Sequence, residues 1–499
     1  METGSLAEFS WGVVLSFFVY LAAMFAIGYW AWRQTANSED YFLGGRHLGP
    51  WPAALSAGAS DMSGWLLLGL PGFAFMAGLE AIWLAIGLWT GTLLNWQFQA
   101  KRLRRFTEYF GNAITLPEYF NNRFNDKSRI LQVVSAVFVL LFFLFYTSSG
   151  LVAGGKLFET VFGLQYQWAV IIGCLCVVGY TFFGGFLAVS WTDLVQGLLM
   201  AAALFIVPIV VYTYLSGDMS LMGELKALNP ELANPLTDVD GKALGAVALL
   251  SSLAWGLGYF GQPHILARFA AIRSEDAVPA ARNIAVSWSG IAMISSLGVG
   301  VIGLLYTQET GVVVEDAETI FILLVNIVFH PLVAGILLAA ILAAIMSTAD
   351  SQLLVCSSAL TEDLYKVFRK SEASSTEIMW LGRAAVIGIA VIATLLALSP
   401  GNSVLDLVSY AWAGFGAAFG PALLLSLYWS RMTCWGALAG IVVGGVTVVV
   451  WKQLSGGWFD LYELLPGFIL AGIAVIAVSL LTRQDTQLDI GGISNKTSC

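Results

Sequence analysis

Residues 51–75 read WPAALSAGASDMSGWLLLGLPGFAF and look like a lipid-buried helix with one ionisable side chain, Asp61, flanked by Gly58, Ser60, Ser63 and Gly64. A carboxylate near the bilayer centre costs about 2.5–3.5 kcal/mol even on insertion scales, so it turns toward a bundle interior, a cavity or a cation. An ion site in a transport path is therefore expected. The small residues predict a second feature, an interrupted helix around 58–61. Free backbone groups are tolerated at membrane depth only where they line a cavity or bind something.

Working outward, apolar runs of about 20 residues recur along the whole chain of 499, with 58% hydrophobic and 11% charged residues. This composition excludes a soluble enzyme and predicts an all-α integral membrane protein in contact with the bilayer. Thirteen spans are expected, at 9–32, 51–75, 77–99, 130–155, 167–184, 191–215, 243–260, 284–306, 331–356, 379–399, 403–428, 434–451 and 463–482. No intervening stretch has the length of a soluble domain. Residues 1–499 read as one unit, a bundle over 9–482 with a short cytoplasmic tail at 483–499. The first run follows no basic residue and has no small-residue cleavage site, so it is a retained helix and not a signal peptide.

With the N-terminus placed outside, nineteen of the 23 Lys and Arg fall on inside segments, and only Lys156, Lys226, Lys242 and Lys452 lie outside. The positive-inside rule then puts the C-terminus on the cytoplasmic side. The outside loops are acidic, which contributes to the net charge of −9. They read as solvated loops whose field is screened by salt. Five cysteines, Cys174, Cys176, Cys356, Cys434 and Cys499, form neither a disulfide framework nor a zinc pattern. His47, His264 and His330 have no metal-like spacing. No nucleophile and base pair or phosphate loop is recognisable, so no enzymatic activity, cofactor or nucleic-acid partner is expected.

A second interruption is expected around Trp255-Gly256-Leu257-Gly258-Tyr259, with Pro263 following. Five spans separate the starts of the two broken helices. Spans 2–6 and 7–11 would then form inverted repeats, because an odd repeat length reverses direction in the membrane and brings both breaks to the midplane. The ninth span ends in Ser347-Thr348-Ala349-Asp350. Neighbouring hydroxyls with freed carbonyls suit sodium, a hard cation that takes oxygens. Alternatively, each hydroxyl bonds its own helix one turn back. Asp61 or Ser60 could likewise cap the second half of the broken helix. Asp350 and Asp193 read first as helix-end acids and second as ion-exit residues. Tyr146, Trp255 and Tyr259 could close on a small substrate or simply pack.

Four segments together carry a family resemblance: Ser60 to Trp65; Gly184-Gly185-Phe186 to Asp193; Pro263 to Arg268; and Met346 through Tyr365. In these the chain resembles the sodium/solute symporter family over about 9–482, and most of all its proline-carrying members. The resemblance implies a leucine-transporter-like core of two inverted five-helix repeats. It further implies sodium on Ala59, Met62 and Ala344 carbonyls and the Ser347 and Thr348 hydroxyls, with Asp61 as the acid on which binding depends. It places the substrate at Ser63, Gly64, Trp65, Tyr146, Trp255, Tyr259 and Pro263, and coupling or ion exit at Arg46 and Asp193. The implied activity is sodium-coupled import of L-proline by alternating access. Relatives carrying sugars, vitamins, organic acids or other amino acids keep the cargo open, and a transporter-like sensor remains as a third reading.

Overall fold

Both interruptions are present in the backbone of the computed structural model, which describes residues 11–33, 42, 44–215, 220–369, 374–399 and 403–482. Helix α1 (Trp11–Trp32) packs across the bundle. Helix α2 (Pro50–Asp61) starts on prolines, whose missing N–H is harmless at a helix start. It runs through the Gly58–Asp61 stretch expected to break, and leaves the helix only at Met62 (φ −81°, ψ 74°). The chain resumes as α3 over 65–77. Gly64 sits where a Cβ would fall 2.6 Å from the Ala153 methyl, so only glycine lets the break lie against its neighbour.

Helix α4 covers 82–109, and α5 (Leu116–Phe124), capped by Thr115, leads into α6 (Ile130–Phe162). The basic run Lys101 to Arg105, just beyond the third expected span, continues α4 as helical turns. The reason is that Leu103 and Phe106 bury one face of those turns. Helix α7 (Tyr166–Tyr212) is split by Gly185 at φ 64° and ψ −173°, a backbone conformation that favours glycine.

The second break follows α8 (Ala246–Ala254): Trp255–Gly261 tightens to a 3-10 turn, Gln262 is extended, and Pro263 opens α9 (Pro263–Ala271). Next come α10 (Val278–Thr310), the short α11 (Ile320–Val328), α12 (Pro331–Ser358), which continues helically to 368, and α13 (Ser375–Ala397). The last three are α14 (Val404–Tyr428), α15 (Cys434–Trp451) and α16 (Leu464–Leu481). No strand occurs among the described residues.

Length and composition pick out ten helices able to cross a membrane among the described residues, against the thirteen spans expected. Residues 65–109 count as one apolar stretch across the turn at Gly78–Ala81, which joins the second and third expected spans, and the fifth and seventh are represented by the shorter apolar helices Tyr166–Gly179 and Ala246–Gly261. The tail at 483–499, Cys499 included, lies outside the described residues.

At the centre, α2 lies against α7, α9, α10 and α12. The broken segment 255–261 wedges between α4 and α14. That wedge depends on bare backbone, since a Cβ on Gly256 would fall 2.2 Å from the Gly87 carbonyl oxygen, and one on Gly91 would fall 2.2 Å from that of Gly256. Large apolar side chains such as Phe18, Leu395 and Ile473 cover the outside of the bundle, as lipid-facing surfaces require. We expect Gly91→Ala to separate α4 from the second break and to lower stability by about 1–3 kcal/mol, the usual cost of overpacking. A reduced melting temperature of the detergent-solubilised protein checks it.

Candidate functional site

Two clusters form around the first break. In the first, α12 reaches α2: Ser347 Oγ donates to the Ala59 carbonyl at 2.8 Å, and Thr348 Oγ1 lies 3.3 Å from the same oxygen. Ser347 Oγ is also 3.2 Å from its own helix's Ala344 carbonyl. Four of the six residues expected at a sodium site thus meet: Ala59, Ala344, Ser347 and Thr348. The back-bonding alternative is realised for Ser347 only as one branch of a shared bond. Met62 sits at the same break, its N–H donating to the Gly58 carbonyl at 2.8 Å.

The second cluster centres on Asp61. Its backbone carbonyl accepts from Trp65 Nε1 at 3.0 Å, from Tyr146 Oη at 3.2 Å and from the Ser63 N–H at 2.9 Å. Its carboxylate accepts from Tyr259 Oη at 2.6 Å. So Asp61 joins four residues expected at a substrate site, Ser63, Trp65, Tyr146 and Tyr259, across both breaks. The carboxylate caps no helix amide. It faces a cavity walled by α2, α4, α9, α10 and the second break, with no α12 residue in the lining. It therefore does not join Ser347 and Thr348.

Trp255 stands apart from Asp61. Its ring stacks on Tyr462 at 5.2 Å, and its carbonyl accepts from Trp412 Nε1 at 2.8 Å. Trp412 in turn meets Tyr259 edge-on at 4.9 Å, which links the two aromatic groups indirectly. Pro263 is the first residue of α9.

Arg268 carries the largest surprise. Counted from sequence with the inside arginines, it is fully buried on α9 and pairs with Asp193 at 3.2 Å. Its guanidinium also bonds Ser56 Oγ at 3.0 Å and Ser351 Oγ at 2.5 Å, while Ser56 donates to Asp193 at 2.6 Å. Four helices, α2, α7, α9 and α12, are clasped by one ion pair. Asp350 lies beside the clasp, 3.3 Å from Ser351 Oγ. The signal available was an arginine within two turns of a prolyl helix start in an apolar stretch, which needs an acid partner.

Arg46 forms a second clasp nearer the basic end of the bundle. It donates to Thr107 Oγ1 at 3.1 Å and to the Ala270 and Ala113 carbonyls at 2.8 and 2.9 Å. Next to it, Leu48 pairs with residues 271 and 273 through two backbone bonds. At the opposite end, Lys156 of α6 bonds Asp316 at 2.6 Å and Glu318 at 2.7 Å, and Glu318 also accepts from the Val404 and Leu405 amides that open α14.

With this geometry in hand, the comparisons with known proteins can be read. The profile of the sodium:solute symporter family matches residues 41–444. The chain belongs to that family. It is 52% identical over 475 residues to the sodium/proline symporter of Escherichia coli (strain K12), covering 94% of this chain and 93% of that one. Against the osmoregulated proline transporter of Bacillus subtilis (strain 168) it is 50% identical over 476 residues, covering 95% and 96%.

Among solved structures, the fold superposes on a Na+-coupled sialic acid symporter in a substrate-bound outward-open state with a TM-score of 0.80 at 21% identity, covering 96% of this chain and 100% of that one. On the nucleobase-cation-symport-1 transporter Mhp1 in a closed conformation the TM-score is 0.52 at 14% identity, with 91% and 98% covered. The symporter is thus an all-helical membrane transporter with the leucine-transporter-like fold expected from its sequence.

For the Arg268 clasp, we expect Arg268→Leu to strand the Asp193 charge and to cost about 3–5 kcal/mol, whereas adding Asp193→Leu recovers most of that loss. Thermal unfolding of both variants in detergent decides it; equal destabilisation by the single and double changes would mean the pair contributes by packing alone.

Proposed function

We propose that the chain imports L-proline together with sodium by alternating access, as one integral membrane unit. The observation that carries this reading is the meeting of Ser347 Oγ and Thr348 Oγ1 at the Ala59 carbonyl, where α2 approaches its break. Today both hydroxyls point protons at that oxygen. A sodium ion entering there would turn them outward, so that hydroxyl and carbonyl oxygens alike become ligands to a hard cation. Met62 at the same break would add its carbonyl.

The proline assignment is supported by relatives about half identical over nearly the whole chain that bear the names sodium/proline symporter and proline transporter. The amino-acid carboxylate suits the helix N-terminus around Ser63, Gly64 and Trp65, and Pro263 opens the matching helix. Tyr146, Tyr259 and Trp255 supply apolar faces for the ring. Sodium held between α2 and α12 fixes the first break in its binding shape, so proline meets a prepared site and its affinity rises through linkage. Arg46, Asp193 and Asp350, at or beside the two clasps, are assigned to opening the inner exit.

One sodium crossing about 100 mV supplies about 2.3 kcal/mol, enough for roughly fifty-fold accumulation before any sodium gradient is added. We place the protein in a bacterial cytoplasmic membrane with its N-terminus outside and its C-terminus inside, a reading supported by the basic residues gathered on one side.

Labelled proline uptake into proteoliposomes tests the whole. We expect uptake to need a sodium gradient, and equal uptake in potassium or choline buffer would overturn the reading. Ser347→Ala with Thr348→Ala is expected to raise the sodium concentration for half-maximal uptake by at least tenfold, the loss of about 1.4 kcal/mol of ligation. Trp255→Ala should weaken half-saturation by proline more than by sodium, and the reverse order would exchange the two pockets.

A further inference from the structure

Where α4 leaves its apolar stretch, its outer surface changes character within one turn. Trp89, Leu94 and Phe98 are exposed and apolar, as a lipid-facing surface requires, and the bases Lys101, Arg102 and Arg105 follow directly. Between these bases and Tyr428, the last residue of α14, lies a cavity of about 230 Å³. One water needs only about 10–15 Å³, so this cavity takes a larger guest.

The charge in its wall is only partly compensated. Arg105 pairs with Glu275, its Nε donating to Oε1 at 2.6 Å. Lys101 and Arg102 have no acid partner among the described residues, and no acid is among the residues that line the cavity. Arg102 is nevertheless held in place. Its guanidinium carbon lies 3.9 Å from the centre of the Tyr428 ring and one nitrogen donates to the Leu427 carbonyl at 3.0 Å, while Tyr428 Oη donates to the Phe98 carbonyl at 2.6 Å. One of the five guanidinium N–H groups is thereby spent, and the rest of the planar fork suits the paired oxygens of a phosphate. At the rim, Arg282 of α10 bonds Gln97 and adds a further positive charge.

The surroundings decide which phosphate fits. Phe98 and Tyr428 are themselves exposed and continue the apolar surface of α4, so a ligand seated on Lys101 and Arg102 has acyl chains on one side and water on the other. A phosphate carried on acyl chains matches both halves of this surface, whereas a free phosphate matches one. A zwitterionic headgroup would bring its own ammonium against bases that already lack a counter-charge. We propose that this cavity binds one anionic phospholipid of the leaflet at the basic end, with its phosphodiester on Lys101 and Arg102 and its chains along Phe98 and Leu94. The lipid joins α4 to α14 below the point where Asn95 and Gln99 of α4 hold the second break, and its binding is independent of cargo and coupling ion.

Native mass spectrometry of the purified full chain, titrated in detergent with dioleoylphosphatidylglycerol, tests it. One lipid is expected to bind per chain, with dioleoylphosphatidylcholine about tenfold weaker and inorganic phosphate unable to compete. Lys101→Gln, a change at an exposed side chain, should weaken the phosphatidylglycerol Kd about fivefold, the share of one base near a membrane surface, and adding Arg102→Gln should weaken it about fivefold again. If the double variant fails to fold, the Lys101→Gln result decides alone. Lys127→Gln removes an exposed base that does not line the cavity and should leave the Kd unchanged. Equal binding of the choline lipid, displacement by inorganic phosphate, an unchanged Kd for Lys101→Gln, or an equal loss from Lys127→Gln overturns the proposal.

Discussion

The chain's behaviour turns on a backbone oxygen with nowhere local to go. Where α2 ends at Met62, carbonyls near the bilayer centre lose their helical donors, and lipid offers no replacement. The rest of the bundle is arranged to supply them. Ser347 and Thr348 come from α12 to Ala59, and Trp65, Tyr146 and the Ser63 amide come to Asp61. Each donor is neutral, so a cation or a ligand amide can displace it at modest cost, about 0.5–1.5 kcal/mol per bond. A break closed by strong ion pairs would be stable but unable to exchange partners.

The second break does the complementary work. Its carbonyls are taken by α4 and α14, with Asn95 on Tyr259, Gln99 on Phe260 and Trp412 on Trp255. These amide and indole donors are held in packed helices, and the glycines between them admit no side chain. The 255–261 segment is thereby locked to its surroundings, while the first break is the one with exchangeable partners. Tyr259, rooted in that segment, donates to Asp61 and so links the two breaks.

Much of this could be read in the residues because membrane burial punishes polarity. A lone acid at Asp61, paired hydroxyls at Ser347 and Thr348, and Trp255 to Pro263 with its glycines stand out against apolar runs, and each sits where the backbone or the packing needs it. What escaped was direction and partner. An aspartate in an apolar helix announces a need, yet whether α12 or the Tyr259 side meets it depends on how α2 is rotated, which periodicity does not set. Arg268 was absorbed into a charge count, since an arginine near a helix end looks the same whether it reaches solvent or turns inward to Asp193. The thirteen expected spans and the ten long apolar helices differ because the second and third run together across Gly78–Ala81 and the stretches at 166–179 and 246–261 are short.

The two ends of the bundle are held by different physics. The basic side is shut by Arg46 on backbone carbonyls and by Arg268 with Asp193, a pair fully withdrawn from solvent. Separating it exposes charge before any new contact forms, so that side opens only when something else compensates. The acidic side is held by Lys156 to Asp316 and Glu318, with Asp316 partly in solvent. Glu318 also sits on the first amides of α14, so releasing it uncaps that helix while water stands ready to replace it. Of the two, the pair on the basic side is therefore the costlier to separate.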